Sequence, residues 1–173
     1  LNKGEIKTIF GNYSFDNTIK SKILFLEIIR KIIKSNHSYD PIKFADYFQK
    51  KLIKKMFDKS NNILDKKMST KQLISIDQDE LFTVGGHSHK HKIFSQLSDK
   101  EAHYDILKSL NFLKKVLKKD IKHYSYPEGQ KDSFTTRDIR ILKGKKIFCC
   151  PNAIYGFNSH KTNLFNLNRI FVK

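Results

Sequence analysis

The sequence predicts an α/β protein: a parallel sheet interleaved with helices over the last three-fifths, preceded by a mostly helical lead-in. Two observations carry that prediction. From Glu80 onward the apolar pattern alternates between short β-prone runs and helical periods, in the order strand, helix, strand, helix, strand. Before about residue 67 the period is helical wherever it is regular. The division expected is residues 1–67 as a helical lead-in or insertion and 68–173 as the main part of the fold.

The first helix follows Thr18, with apolar residues at Ile19, Ile23, Leu26, Ile29, Ile32 and Ile33. A second begins at Asp40 as N-cap and Pro41 as first helical residue, with Ile42, Ala45, Phe48, Leu52 and Met56 as its apolar stripe. Ser69 and Gln72 form a capping box that opens a short helix, "TKQLISI". "ELFTV", ending at Val84, is β-prone and bounded by Gly85 and Gly86, so it reads as a buried strand. Ser98 and Glu101 open a longer helix whose apolar side carries Ile106, Leu107, Leu110, Leu113 and Leu117. "IKHYSY" is the second strand, stopped by Pro127 and Gly129. A helix near Thr136–Leu142 ends at Gly144, a residue suited to the C′ position. "KIFCC" and "RIFV" read as the third and fourth strands.

At 173 residues, 39% of them hydrophobic, the chain can bury one real core and is not disordered. No apolar run approaches the roughly 20 residues that span a bilayer. No signal peptide is visible in this stretch, and neither compartment nor oligomeric state can be read from it. The net charge of +17 would suit a nucleic-acid binder, but the excess is mostly lysine. The lysines are spread over separate elements, accompanied by the Ile, Asn, Phe and Ser favoured by A- and T-rich codons. That is the pattern of a solvated surface, and it argues against nucleic acid. Cys149 and Cys150 are adjacent, so in a strand they point to opposite faces and read as small buried hydrophobes.

Two stretches carry chemistry. In "VGGHSHKH", His87 and His91 stand four apart; a helical turn after Gly86 would put both imidazoles on one face, with His89 facing away. Beyond a strand's C-terminal end, such a pair suits a divalent metal. Without more, the same residues are also read as a basic surface loop. In "YSYPEGQ", Pro127 and Gly129 make a rigid turn whose backbone amide can face negative charge developing on a substrate oxygen. It also reads as an ordinary strand-ending turn. His37, His103, His123 and His160 stand singly and read as structural or surface residues, and Asp132 and Asp138 as helix-entry residues.

Taken in order, "FTVGGHSHKHKIFSQLS", "HYSYPEGQ" and "CCPNAIYGFN" with "LFNLNRIFV" resemble the NodB-type polysaccharide deacetylases, carbohydrate esterase family 4, over residues 68–172. The resemblance implies a distorted (β/α) barrel, incomplete at its N-terminal end. It implies a hydrolase that removes acetyl groups from the nitrogen or oxygen of a bacterial polysaccharide or glycoconjugate, using a divalent metal, usually zinc. Carried over, His87 and His91 are metal ligands, Ser88 fixes the loop, and the Glu128 backbone N–H is the oxyanion donor. Arg169 matches an arginine near the end of the barrel that orients an acidic group. The partner implied is an acetylated carbohydrate.

The family's first motif, Thr-Phe-Asp-Asp-Gly, supplies the catalytic base and third ligand, and it is not found here. The nearest string, "YSFDNT", offers Asp16 alone, which reads rather as a helix N-terminal residue. The late Leu-x-His motif is replaced by Leu167-Asn168-Arg169. With Leu as first residue, the expectation is a partial domain holding half an active site, or an inactive relative. The rival reading is a non-catalytic, lysine-rich module that grips an acidic polysaccharide or nucleic acid.

Overall fold

The computed structural model describes residues 4–8, 11–16, 18–35, 41–52 and 66–172. The chain divides into two compact units, residues 1–66 and 67–173.

The first unit opens with strands that the sequence reading did not anticipate. β1 (Gly4–Thr8) and β2 (Gly11–Phe15) pair antiparallel, Gly4 opposite Phe15 and Thr8 opposite Gly11. α1 (Ile19–Ser35) follows and buries Phe25 and Ile29, with Ile33, Phe44 and Tyr13 packed against them. The buried line thus runs through Phe25 and Ile29, while Ile19, Ile23 and Leu26 of the expected stripe are exposed. α2 spans Pro41–Leu52. Its expected cap Asp40 and the stripe residue Met56 lie outside the described residues, and Ala45 is exposed.

The second unit begins with α3 (Thr70–Asp77), whose capping box is complete: Ser69 Oγ accepts from Gln72 N, and Gln72 Oε1 from Ser69 N. α4 (Asp99–Leu117) opens the same way on Ser98 and Glu101. Its buried face is Ala102, Asp105, Ile106, Ser109 and Leu110, spaced three and four apart. Ile106 alone, fully buried, contributes about 2 kcal/mol. α5 (Thr136–Gly144) ends differently from expectation. Gly144 is inside the helix, and the left-handed residue is Lys146, with φ 59°. Lys146 N donates to Lys143 O and Ile147 N to Leu142 O, a Schellman ending in which buried Ile147 and Leu142 share the core.

The strands are shorter and shifted. Leu81–Val84 does not form a ladder, because Asp79 captures the chain in a turn: its Oδ1 accepts Leu81 N and its carbonyl Phe82 N. Pairing starts at Gly86, which bridges Tyr124 in parallel, and His123 bridges Cys149 in parallel. Lys146 and Ile147 are occupied in the ending of α5, so the regular strand starts later, as β3 (Pro151–Tyr155). β4 (Leu167–Arg169) runs parallel to it, Pro151 opposite Leu167 and Tyr155 opposite Arg169. Beyond Arg169 the neighbouring β3 has ended, so "RIFV" has no strand partner there among the described residues. The result is a narrow parallel ribbon in the order Gly86, His123–Tyr124, Cys149 leading into β3, then β4. Its core gathers Phe94, Ile106, Leu110, Tyr124, Tyr126, Leu142, Cys150 and Phe165 between the ribbon and α4 and α5. Among the described residues, no helix is long and apolar enough to cross a membrane.

Candidate functional site

The segment 87–91 does not turn helically. It is a loop with two left-handed residues, Ser88 (φ 68°) and His91 (φ 53°). The rings of His87 and His91 nevertheless meet, with centroids 4.8 Å apart and planes at 67°. Both residues are exposed. The loop's shape comes from its neighbours and from one of its own hydroxyls. Ser88 Oγ accepts His91 N at 2.6 Å. Ser88 N donates to the Tyr124 hydroxyl at 2.7 Å. His89 N and Lys90 N donate to the two carboxylate oxygens of Asp105, at 2.8 and 3.0 Å.

Asp105 is 4% exposed, on the apolar face of α4. It escaped the sequence reading, although an acid at the i+3 position of a buried stripe was the available signal. A buried carboxylate needs partners, and here the histidine loop provides them. Tyr124 is equally enclosed; burial pushes its hydroxyl above the ordinary tyrosine range, so it remains protonated and neutral. Gly86 makes this packing possible. A Cβ there would lie 2.4 Å from the Tyr124 ring.

His87 Nδ1 lies 3.0 Å from the Ser125 carbonyl oxygen and 2.8 Å from Ser125 Oγ. A carbonyl only accepts, so a ring bonded to it carries a proton on Nδ1, and in the neutral form of that ring Nε2 holds the lone pair. This is the second-partner arrangement of metal-ligating histidines. The donor set therefore fits a borderline metal such as zinc at two places. Among the described residues no group of three or more His, Cys, Asp or Glu gathers to hold an ion. Asp16, in the first unit, is engaged locally: its Oδ1 accepts the Thr18 N–H and hydroxyl at the start of α1, and its N–H donates to Ser21 Oγ. That agrees with its reading as a helix N-terminal residue.

Ser125 connects His87 to the Pro-x-Gly turn, which begins two residues on. Pro127 is fully buried, and Gly129 N donates back to Pro127 O at 2.7 Å, a tight three-residue turn centred on Glu128 at φ 59°. Gly129 is required twice over. Its φ is 64°, and an added Cβ would sit 2.8 Å from Ala153 N. Gly129 O accepts Ala153 N, tying the turn to β3. Tyr126 stacks on Phe134 at 3.8 Å and donates its hydroxyl to Phe165 O. Arg169 is exposed at the end of β4. His123 Nδ1 contacts Cys149 Sγ at 3.2 Å, inside the ribbon.

Arg137 also went unnoticed in the sequence. Its guanidinium donates to Phe94 O and Leu97 O, to the exposed Asp99, and to Asp138, which is completely buried. It thereby anchors the turn that follows the histidine loop. Asp138, beyond its helix-entry role toward Thr135, is the buried half of that ion pair.

Three solved structures share this fold. They are the deacetylase PplD of Streptococcus pyogenes in complex with acetate (21% identity, TM-score 0.54, covering 60% of this chain and 44% of that one), IcaB from Ammonifex degensii (20%, 0.52, 61% and 48%), and the BpsB deacetylase domain from Bordetella bronchiseptica (14%, 0.54, 71% and 57%). The chain thus spans about half the length of the structures it matches. No curated protein sequence matches it. A family profile described as polysaccharide deacetylase matches residues 42–144, more than half of the chain and inclusive of the histidine loop, Asp105 and the Pro-x-Gly turn. The chain belongs to the polysaccharide deacetylase family.

Proposed function

We propose that this chain forms part of a zinc-dependent hydrolase that removes acetyl groups from a bacterial polysaccharide or other glycoconjugate. The paired imidazoles carry the proposal, with His87 Nδ1 engaged by Ser125 and so its Nε2 the atom offered to a metal. The acetate in the PplD complex, a deacetylation product by its chemistry, accords with it. In this reading the ribbon is one side of a distorted (β/α) barrel.

His87 and His91 would hold the metal, whose Lewis acidity favours water attack and polarises the acetyl carbonyl. The chain's own residues do the rest of the work described here. Ser125 holds the His87 ring and its Nδ1 proton, while Asp105 and Tyr124 hold the backbone that aims both rings. The Glu128 N–H, set by its left-handed turn, donates to the oxygen on which charge develops when the acetyl carbon becomes tetrahedral. Arg169 orients an acidic group of the site. The base that accepts the water's proton is not assigned.

The test is metal content and turnover together. One zinc per protein, absent in His87→Ala and His91→Ala, with acetate released from acetylated chito-oligosaccharides by the wild type alone, is the expected result. Full zinc binding in both variants would overturn the assignment of the ligands.

A further inference from the structure

We propose that Tyr155, Phe157 and Phe171 form an aromatic platform that seats a neutral sugar ring of the polymer beside the histidine site; the inference rests on the deacetylase reading above. The three side chains are 62%, 76% and 52% exposed, although each is a large apolar ring. They are not scattered. Tyr155 meets Phe157 edge-on at 6.5 Å and stacks with Phe171 at 6.4 Å and 23°. Contiguous exposed apolar surface of this kind marks a contact site rather than ordinary surface.

Their place in the fold selects the occupant. Gly86, Tyr124, β3 and β4 run parallel, so their C-terminal ends lie on one rim of the ribbon. His87 and the Pro-x-Gly turn follow the first two, and Tyr155, Phe157 and Phe171 follow or end the last two. At about 4.8 Å per strand, the platform stands roughly 10 Å or more from the histidine strand, a neighbouring position along a polymer. Aromatic faces carry negative charge density and attract the C–H faces of a pyranose, leaving its hydroxyls at the edge for polar partners. Arg169, opposite Tyr155 in the β3–β4 register, is an exposed polar residue at the same end of the ribbon.

The platform is also preset. Gly156 N donates to Arg169 O, and the Asn168 side chain packs over Gly156, where an added Cβ would meet its Nδ2 at 2.9 Å and displace it. Asn158 then grips the backbone of Asn168 twice, giving Nδ2–H to its carbonyl and taking its N–H on Oδ1, both at 2.9 Å. Phe157 is thus held from both sides before any ligand arrives, which lowers the ordering cost of binding.

The experiment is calorimetric titration of the protein with chitopentaose and with an acetylated xylo-oligosaccharide, alongside zinc content. The wild type is expected to bind at least one of them. Tyr155→Ala and Phe157→Ala should each weaken binding about tenfold with zinc content unchanged. Tyr155→Trp should retain affinity and, in a chain without tryptophan, report binding by fluorescence. Sugar binding without zinc would sink the deacetylase reading and leave the platform standing. Zinc binding with no sugar affinity, or with alanine variants that bind like wild type, would overturn the platform alone. A wild-type dimer that dissociates in Phe157→Ala would also overturn it, assigning the rings to a second copy of the chain.

Discussion

Replacing Asp105 with asparagine exchanges one of two accepting oxygens for an amide nitrogen. In the structure each oxygen takes one loop N–H, from His89 at 2.8 Å and from Lys90 at 3.0 Å. Asparagine can keep one of these bonds, and then its NH₂ faces the other N–H, donor against donor. A hydrogen bond to a charged group contributes about 1.5–3 kcal/mol, and losing one while stranding a donor costs a similar amount. Asp105→Asn should therefore destabilise the second unit by about 2–3 kcal/mol, and Asp105→Ala by no more than about 4, since the vacated space admits water to both amides. In thermal unfolding that is a drop on the order of 10 °C or more. Amide hydrogen exchange at His89 and Lys90 should accelerate in both variants, and zinc affinity should fall with it. An asparagine variant that melts, exchanges and binds metal like wild type would refute the idea that this carboxylate shapes the loop.

Three further outcomes follow from the same contacts. Gly86→Ala drives a methyl into the Tyr124 ring, 2.4 Å away, and should cost about 1–3 kcal/mol in chemical denaturation while weakening metal binding through the Tyr124–Ser88 contact. Arg137→Ala leaves the fully buried Asp138 without its cation and Leu97 O without its guanidinium donor, while Phe94 O keeps only the Leu97 N–H; a loss of about 3–5 kcal/mol is expected, with Arg137→Lys recovering only part of it, by urea titration. Burial pushes the Cys150 thiol up to about 12. The unfolded thiol ionises near its ordinary value while the folded one does not, so this contribution is intact below about pH 9. It is lost as pH rises toward about 12, at about 1.4 kcal/mol per unit. Cys150→Ala should flatten the alkaline limb of stability against pH by one proton; an unchanged slope would count against burial as the cause.

Helices that begin with a capping box were legible, because the signal is local: Ser69 with Gln72 and Ser98 with Glu101 fix α3 and α4 in the sequence as they do in space. Strand limits were not, because they depend on where partners stop. β3 starts late since Lys146 and Ile147 are consumed by the end of α5, and that ending uses a lysine where glycine was expected. The hairpin of β1 and β2 is two five-residue strands with too little pattern to separate from a loop. The histidine pair was found by its spacing, yet for a different reason than the one that joins the rings. The helical turn expected there is replaced by left-handed residues at Ser88 and His91. Asp105 and Arg137 act over sequence distances of 15 to 43 residues, and no local rule links them to the loop.

The donors of Ser88, His89 and Lys90 all end on side chains that belong to other elements. A peptide cut from this stretch, or the same eight letters grafted onto a foreign strand end, would keep the spelling and lose the shape. The placing of the two imidazoles is a property of a helix and a strand acting as a mould, so anything that moves α4 shifts both rings without touching either of them.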